Sequence, residues 1–101
     1  MADGESYASG NWLVKEGNED DFVSRWTEFL EWTRDNADGF GNAILIQDTA
    51  NPRHFVSFSD WADEEAKKGW QSLDEFSEKM GACRELCEDF QKFDFTRAAS
   101  V

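Results

Sequence analysis

A chain of 101 residues with 22 acidic and 10 basic side chains, and hence a net charge of −12, has room for one domain that buries roughly two-thirds of its unfolded surface. The charge repels phosphate backbones and anionic membrane surfaces, so neither nucleic acid nor membrane is an expected partner. No apolar run approaches the roughly 20 residues of a membrane span and no basic, apolar leader opens the sequence, so a soluble, cytoplasmic protein is expected.

Residues 1–6 are small or acidic and are expected to be disordered ahead of a single domain over 7–101. Tyr7 to Lys15 suits a first strand. Asn18 is placed to cap a helix whose first turn carries Glu19, Asp20 and Asp21, charges that favour the positive end of the helix dipole. Phe22, Trp26, Phe29, Leu30 and Thr33 then recur at helical spacing, which predicts one buried stripe ending near Asn36 to Gly39. The run Ala43 to Ile46 is continuously apolar and fits a strand buried on both faces. Thr49 to Pro52 makes a turn, and Arg53 to Ser59 alternates as the next strand. Asp60 is placed to cap a short helix from Trp61 to Lys68 that Gly69 ends. Ser72 and Glu75 have the spacing of a capping box, so a further helix is expected from Ser72, with Trp70 in the joint before it. That helix would bury Leu73, Phe76, Met80, Cys83, Cys87 and Phe90, and Phe93 to Thr96 alternate as a last strand.

The order strand, helix, strand, strand, helix, strand predicts an α+β, ferredoxin-like fold: a four-stranded antiparallel sheet with its helices on one face. Apolar residues fall on both faces of the strands, among them Ile44, Leu45, Ile46 and Phe55. A second copy of the chain is the simplest cover for the other face, so a homodimer with two sheets packed into a barrel is expected. Cys83 and Cys87 lie four apart among core residues and read as buried thiols. Zinc or redox chemistry would want C-x-x-C spacing with further ligands, and the single histidine, His54, is remote in sequence. The aromatic content, 15% with five Trp and nine Phe, suits a ring-built core and equally a cavity for a flat apolar ligand.

The stretch from Trp12 to Gly17 leading into Phe22 and Trp26, the run Pro52 to Phe58, and Trp61, Trp70 and Phe76 together resemble the antibiotic biosynthesis monooxygenase domains of the dimeric α+β barrel group. The two tryptophans nine apart are the most distinctive element. The resemblance spans nearly the whole chain and implies a homodimer with a cleft between helices and sheet in each subunit. It also implies oxidation of a small aromatic, anthrone- or quinol-like compound by oxygen with no added cofactor. Relatives that degrade haem carry a histidine ten positions after the second tryptophan, where this chain has Met80, and an asparagine at the first-strand position occupied here by Gly10. Asn11 is offset by one and so turned to the opposite face. Haem degradation is therefore disfavoured.

Cofactor-free oxygenation needs an apolar slot, a base or hydrogen-bond acceptor, and donors for a developing oxyanion. Trp70 is the candidate wall and indole donor. Trp12, Trp61, Phe76, Met80 and Asn11 are candidate substrate-binding residues. His54, whose unperturbed pKa lies near neutrality, is the candidate base if its strand face points to the cleft. Only one of Asn11 and Trp12 can face the helices. If Trp12 does, it lines the pocket and Asn11 looks into the dimer barrel. The rival reading is a non-catalytic dimer that binds a hydrophobic metabolite, favoured by the missing histidine and the lack of an obvious base.

Overall fold

The computed structural model describes residues 6–101, which run as β1 (Ser6–Val14), α1 (Glu19–Asn36), β2 (Phe40–Gln47), β3 (His54–Trp61), α2 (Glu64–Gln71), α3 (Asp74–Arg84) and β4 (Cys87–Thr96). The strands form one antiparallel sheet in the order β2-β3-β1-β4. This is the ferredoxin-like α+β arrangement, with its second helical segment split in two. The molecule is a slab measuring 42 × 34 × 18 Å, one helical layer on one sheet. Most of the expected disordered segment lies outside the described residues, but Ser6, assigned to it, is already the first residue of β1, opposite Trp61 and Thr96.

Helix α1 buries the stripe its spacing predicts: Phe22, Trp26, Phe29, Leu30 and Thr33. Asn18 holds the cap position without a side-chain bond. The Glu19 carboxylate instead accepts the Gly17 N–H at 3.0 Å. After α1 the chain turns through Gly39 at φ +80°, where a Cβ would lie 2.5 Å from that of Ala66. Only glycine combines that backbone angle with so close an approach.

Several local expectations fail, those at Trp61 and at Cys87 and Phe90 because sheet pairing overrides them. Trp61 does not begin a helix; it ends β3, because β1 pairs along the whole of that strand and places Ser6 opposite Trp61. Asp60 accordingly accepts the Asn42 N–H across the β2/β3 pair at 2.7 Å, and Asp63 caps α2 through the Ala66 N–H at 2.8 Å. Gly69 does not stop α2, which continues to Gln71. Ser72 closes it, donating its hydroxyl to the Lys68 carbonyl at 2.9 Å, so Trp70 sits in the last turn of α2 and Leu73 takes the cap position of α3. The last helix stops at Arg84. Cys87 and Phe90, which the i, i+4 pattern would extend it through, belong to β4, where they pair with Val14 and Trp12. Local helical spacing gives way there because the outer edge of β1 offers backbone partners along its full length.

Both thiols are free. Cys83 is fully buried on α3, while half-buried Cys87 donates its Sγ–H to the Cys83 carbonyl at 3.5 Å. Burial pushes the Cys83 thiol up to about 12 and that of Cys87 up to about 11.

Strand alternation divides the sheet. Trp12, Val14, Phe55 and Trp61 face the helices and join Phe22, Trp26, Phe29, Leu30, Trp70 and Cys83 in one core. Each buried tryptophan contributes up to about 4–6 kcal/mol of apolar burial. The residues between them face the open side, where Ile44, Ile46, Phe93 and Phe95 are 40–55% exposed. The expectation of a β2 buried on both faces is not met within one chain: Ala43 and Leu45 on the helix side are half-buried, and Ile44 and Ile46 on the open side are exposed. Among the described residues no helix is long and apolar enough to cross a membrane.

Candidate functional site

Between the helices and the sheet lies a small aromatic cavity of about 40 Å³, open to solvent on one side. Its walls include Trp12 and Phe90 from the sheet, Phe29 from α1, Trp70 from α2, and Phe76 and Met80 from α3. Backbone register explains why these rings meet. Trp12 pairs with Phe55 on one side and Phe90 on the other, and its ring lies 4.2 Å from that of Phe90 and 5.1 Å from that of Phe22. Gly10 forms the floor. A Cβ there would lie 2.6 Å from the Trp12 indole nitrogen and 3.0 Å from the Phe90 ring, so the absence of a side chain lets both rings lie down over the sheet. Trp70 forms the opposite wall, stacked on Phe29 (5.7 Å, 21°) and meeting Phe76 edge-on (4.8 Å, 85°).

Three buried indole N–H groups in and behind this cavity are satisfied by hydroxyls. Trp12 donates to Ser57 at 3.0 Å, Trp61 to Ser59 at 3.0 Å, and Trp70 to Thr33 at 2.9 Å. Burial demands such partners, since an unpaired indole N–H in an apolar interior costs about 1–3 kcal/mol. Trp70 is thus a wall as expected, but its N–H points to Thr33 and is committed there. Trp61 does not reach the cavity: fully buried, it stacks behind Trp70 at 4.7 Å and meets Phe40 edge-on at 5.3 Å.

The register resolves the choice between Asn11 and Trp12. Trp12 faces the helices and Asn11 the open side, where it meets His54. The His54 ring is held at both nitrogens, Nδ1 at 3.0 Å from the Asp48 carboxylate and Nε2 against the Asn11 amide oxygen. The bond from His54 holds the Asp48 carboxyl below its ordinary range. This polar chain and the aromatic cavity lie on opposite faces of the sheet, so His54 has no direct path to a ligand between sheet and helices.

Sequence reasoning passes over most of the cavity wall as a site, Gly10, Ser57, Ser59, Gln71 and Lys92 among it. The serines carry a readable signal, because the helix-facing positions of β3 run Phe55, Ser57, Ser59, Trp61, two small hydroxyls between two large rings. Lys92 carries none, since its position on the helix face depends on β4 pairing Lys92 with Gly10. It is the one titratable side chain on the cavity wall, half-exposed, with Nζ 3.8 Å from Asp94. Lys67 is a separate matter. Only 1% exposed, it bonds the Tyr7 carbonyl at 3.2 Å and the Glu64 and Asp94 carboxylates at 3.1 Å each, fastening α2 to β1 and β4 outside the cavity. No group of three or more metal-ligating side chains occurs among the described residues.

Residues 7–81 match the model of the antibiotic biosynthesis monooxygenase family. The fold is similar to that of a mutant form of SnoaB, a cofactor-independent oxygenase from Streptomyces nogalater, with a TM-score of 0.85 at 18% identity over 96% of this chain and 97% of that one. It is also similar to a conserved protein from Methanosarcina mazei Go1 (TM-score 0.81, 17% identity, 91% of each chain). A crystallised antibiotic biosynthesis monooxygenase gives a TM-score of 0.77 at 18% identity over 93% of this chain and 99% of that one. No curated protein matches by sequence.

Proposed function

The chain belongs to the antibiotic biosynthesis monooxygenase family, and we propose that it is a homodimeric, cofactor-independent monooxygenase acting on a small aromatic, anthrone- or quinol-like compound held between helices and sheet. The observation that carries this reading is the cavity itself: an aromatic slot bounded by Trp12, Phe29, Trp70, Phe76, Met80 and Phe90, with hydroxyls, the Gln71 amide and one ammonium as its polar features. At about 40 Å³ it has room for little more than water. A ring must therefore displace side chains, and Phe76 and Met80, half-buried on α3, are the ones with room to move outward.

In the proposed reaction the ionised substrate supplies the electrons. An anthrone-like CH₂ gives a proton to water, its carbanion adds oxygen to form a peroxide that takes a proton back, and loss of water from that hydroperoxide breaks the O–O bond and leaves a carbonyl. The protein's part is to exclude solvent, hold the ring flat and favour the anion. Lys92 suits that last role, since a cation beside the ring lowers the pKa of a bound phenol or enol.

Oxygen uptake with anthrone or hydroquinone as substrate tests the proposal. Consumption of one O₂ per product formed supports it. Tight binding without uptake supports the second reading, a dimer that binds a hydrophobic metabolite without turnover. What favours that alternative is the position of His54 on the far face, which leaves Lys92 as the one titratable side chain on the cavity wall.

The proposed dimer forms through the open sheet face. Ile44, Ile46, Phe93 and Phe95 give it an apolar surface, and a second copy presents the same surface in return.

A further inference from the structure

We propose that Ser57 and Ser59 are ligand-positioning donors, which make the cavity prefer aromatic compounds bearing a deprotonated or carbonyl oxygen over the same rings without one. The inference rests on the cavity being the ligand site.

A hydroxyl carries one donor and two acceptor positions, and the three hydroxyls that receive indole N–H bonds differ in what becomes of their own proton. Thr33 accepts from Trp70 and donates to the Phe29 carbonyl at 2.9 Å. Its valences are used within the fold. Ser57 accepts from Trp12 and Ser59 from Trp61, yet neither hydroxyl proton meets an acceptor among the described residues. Both serines are more than nine-tenths buried, at 7% and 5% exposure, and both line the cavity. On the wall of a cavity open to solvent such a donor bonds water, which an acceptor on a ligand can replace. The indole bond fixes each oxygen in place and polarises the hydroxyl, which strengthens its donation.

The spacing restricts the ligand further. Residues two apart on one strand face are separated by roughly 6.6 Å between Cα atoms, too far to converge on a single oxygen. Two acceptors on opposite sides of one ring match this better than two neighbours. Lys92, on the same helix-facing side of the sheet and opposite Gly10, favours an anionic group among them.

4-Nitrophenol has an oxygen function at each end and changes its absorbance on ionisation, and nitrobenzene is its counterpart without the phenolic oxygen. Equilibrium dialysis measures both affinities, and a spectrophotometric titration measures the pKa of the bound phenol. The wild-type protein is expected to prefer nitrophenolate. Whichever of Ser57→Ala and Ser59→Ala removes the donor to the phenolate should cut that preference about tenfold and raise the pKa of the bound probe by about one pH unit, and the other, which faces the nitro group that both probes carry, should leave the preference in place. Thr33→Val orphans the Trp70 indole in the same way, so it controls for loosened packing and should leave both the preference and the bound pKa unchanged. Ser57→Thr and Ser59→Thr retain the hydroxyl and should retain the preference, which keeps a test available if an alanine variant fails to fold. Undiminished preference in both alanine variants overturns the serine assignment, as does a wild-type protein that binds both probes equally, and in either case the cavity stands as a binding site. Binding of neither probe removes the cavity reading and the inference with it.

Discussion

The two faces of the sheet are made from alternate residues of the same four strands, and they solve different problems. On the helix face Trp12, Phe55 and Trp61 are at most 2% exposed, and the two indoles among them each find a hydroxyl partner. On the open face Ile44, Ile46, Phe93 and Phe95 remain 40–55% exposed, beside the chain Asp48, His54, Asn11. One face is completed by the chain's own helices. The other has an apolar surface that a single chain leaves to solvent, so stability should depend on the first face and association on the second.

The largest test of this contrast is Trp61→Ala on the closed face, where loss of a fully buried ring and its stacking on Trp70 should cost about 3–5 kcal/mol in urea unfolding. A cost under about 1 kcal/mol would mean the closed face is not where the fold's stability lies. On the open face, the double change Ile44→Lys and Ile46→Lys should raise the dimer dissociation constant at least about tenfold, because it sets like charges against their symmetry copies. Light scattering reads this directly, and a wild-type protein that is monomeric at micromolar concentration would sink the dimer.

Lys67→Met should cost about 1–2 kcal/mol, measured in the same urea series. It leaves the Glu64 carboxylate without its cation and Asp94 with Lys92 alone at 3.8 Å, but both carboxylates are about half exposed and water compensates in part.

The thiols sharpen the contrast by their pH dependence. Raised pKa values of about 12 and about 11 mean that the folded state holds its thiol protons where the unfolded chain, near 9, has begun to release them. Their contribution to stability is complete below about pH 9 and is lost as pH rises from there through the folded values. Alkaline unfolding should therefore begin above pH 9, and Cys83→Ala should weaken that dependence. At about pH 8 a thiol reagent should modify Cys87 before Cys83 and both slowly, as followed by mass spectrometry.

The smallest effects belong to the polar chain of the open face. Asp48 has a depressed folded pKa, so its contribution is present above the ordinary carboxylate value and is lost as pH falls through the folded one. Asp48→Asn should remove a shallow acid dependence from the unfolding curve. His54→Gln should leave oxygen uptake or ligand affinity unchanged. A large loss there would show that the open face takes part in the chemistry.

The α1 stripe from Phe22 to Thr33, the element order and the aromatic character of the core follow from spacing and residue type, and can be read without coordinates. So can the two-sided apolarity of β2 that points to a partner. Trp12, Trp70, Phe76 and Met80 are candidate pocket residues by type and position, and they do meet in one cavity. Elsewhere local signals compete with pairing. The Ser72 to Glu75 capping pattern and the i, i+4 spacing of Cys83 and Cys87 are helical features in isolation. Only the demand of β1 for partners on both edges turns Trp61 and Cys87 into strand residues. The separation of His54 from the cavity, the placing of Lys92 beside it and the two unspent serine protons also depend on strand register. A shift of one residue exchanges the faces of a strand. Residue types and their periodicity determine which elements form and how apolar each face is, because those are properties of neighbours along the chain. Which side chains share a site is decided by pairing between residues far apart in sequence, such as Trp12 with Ser57 and Gly10 with Lys92.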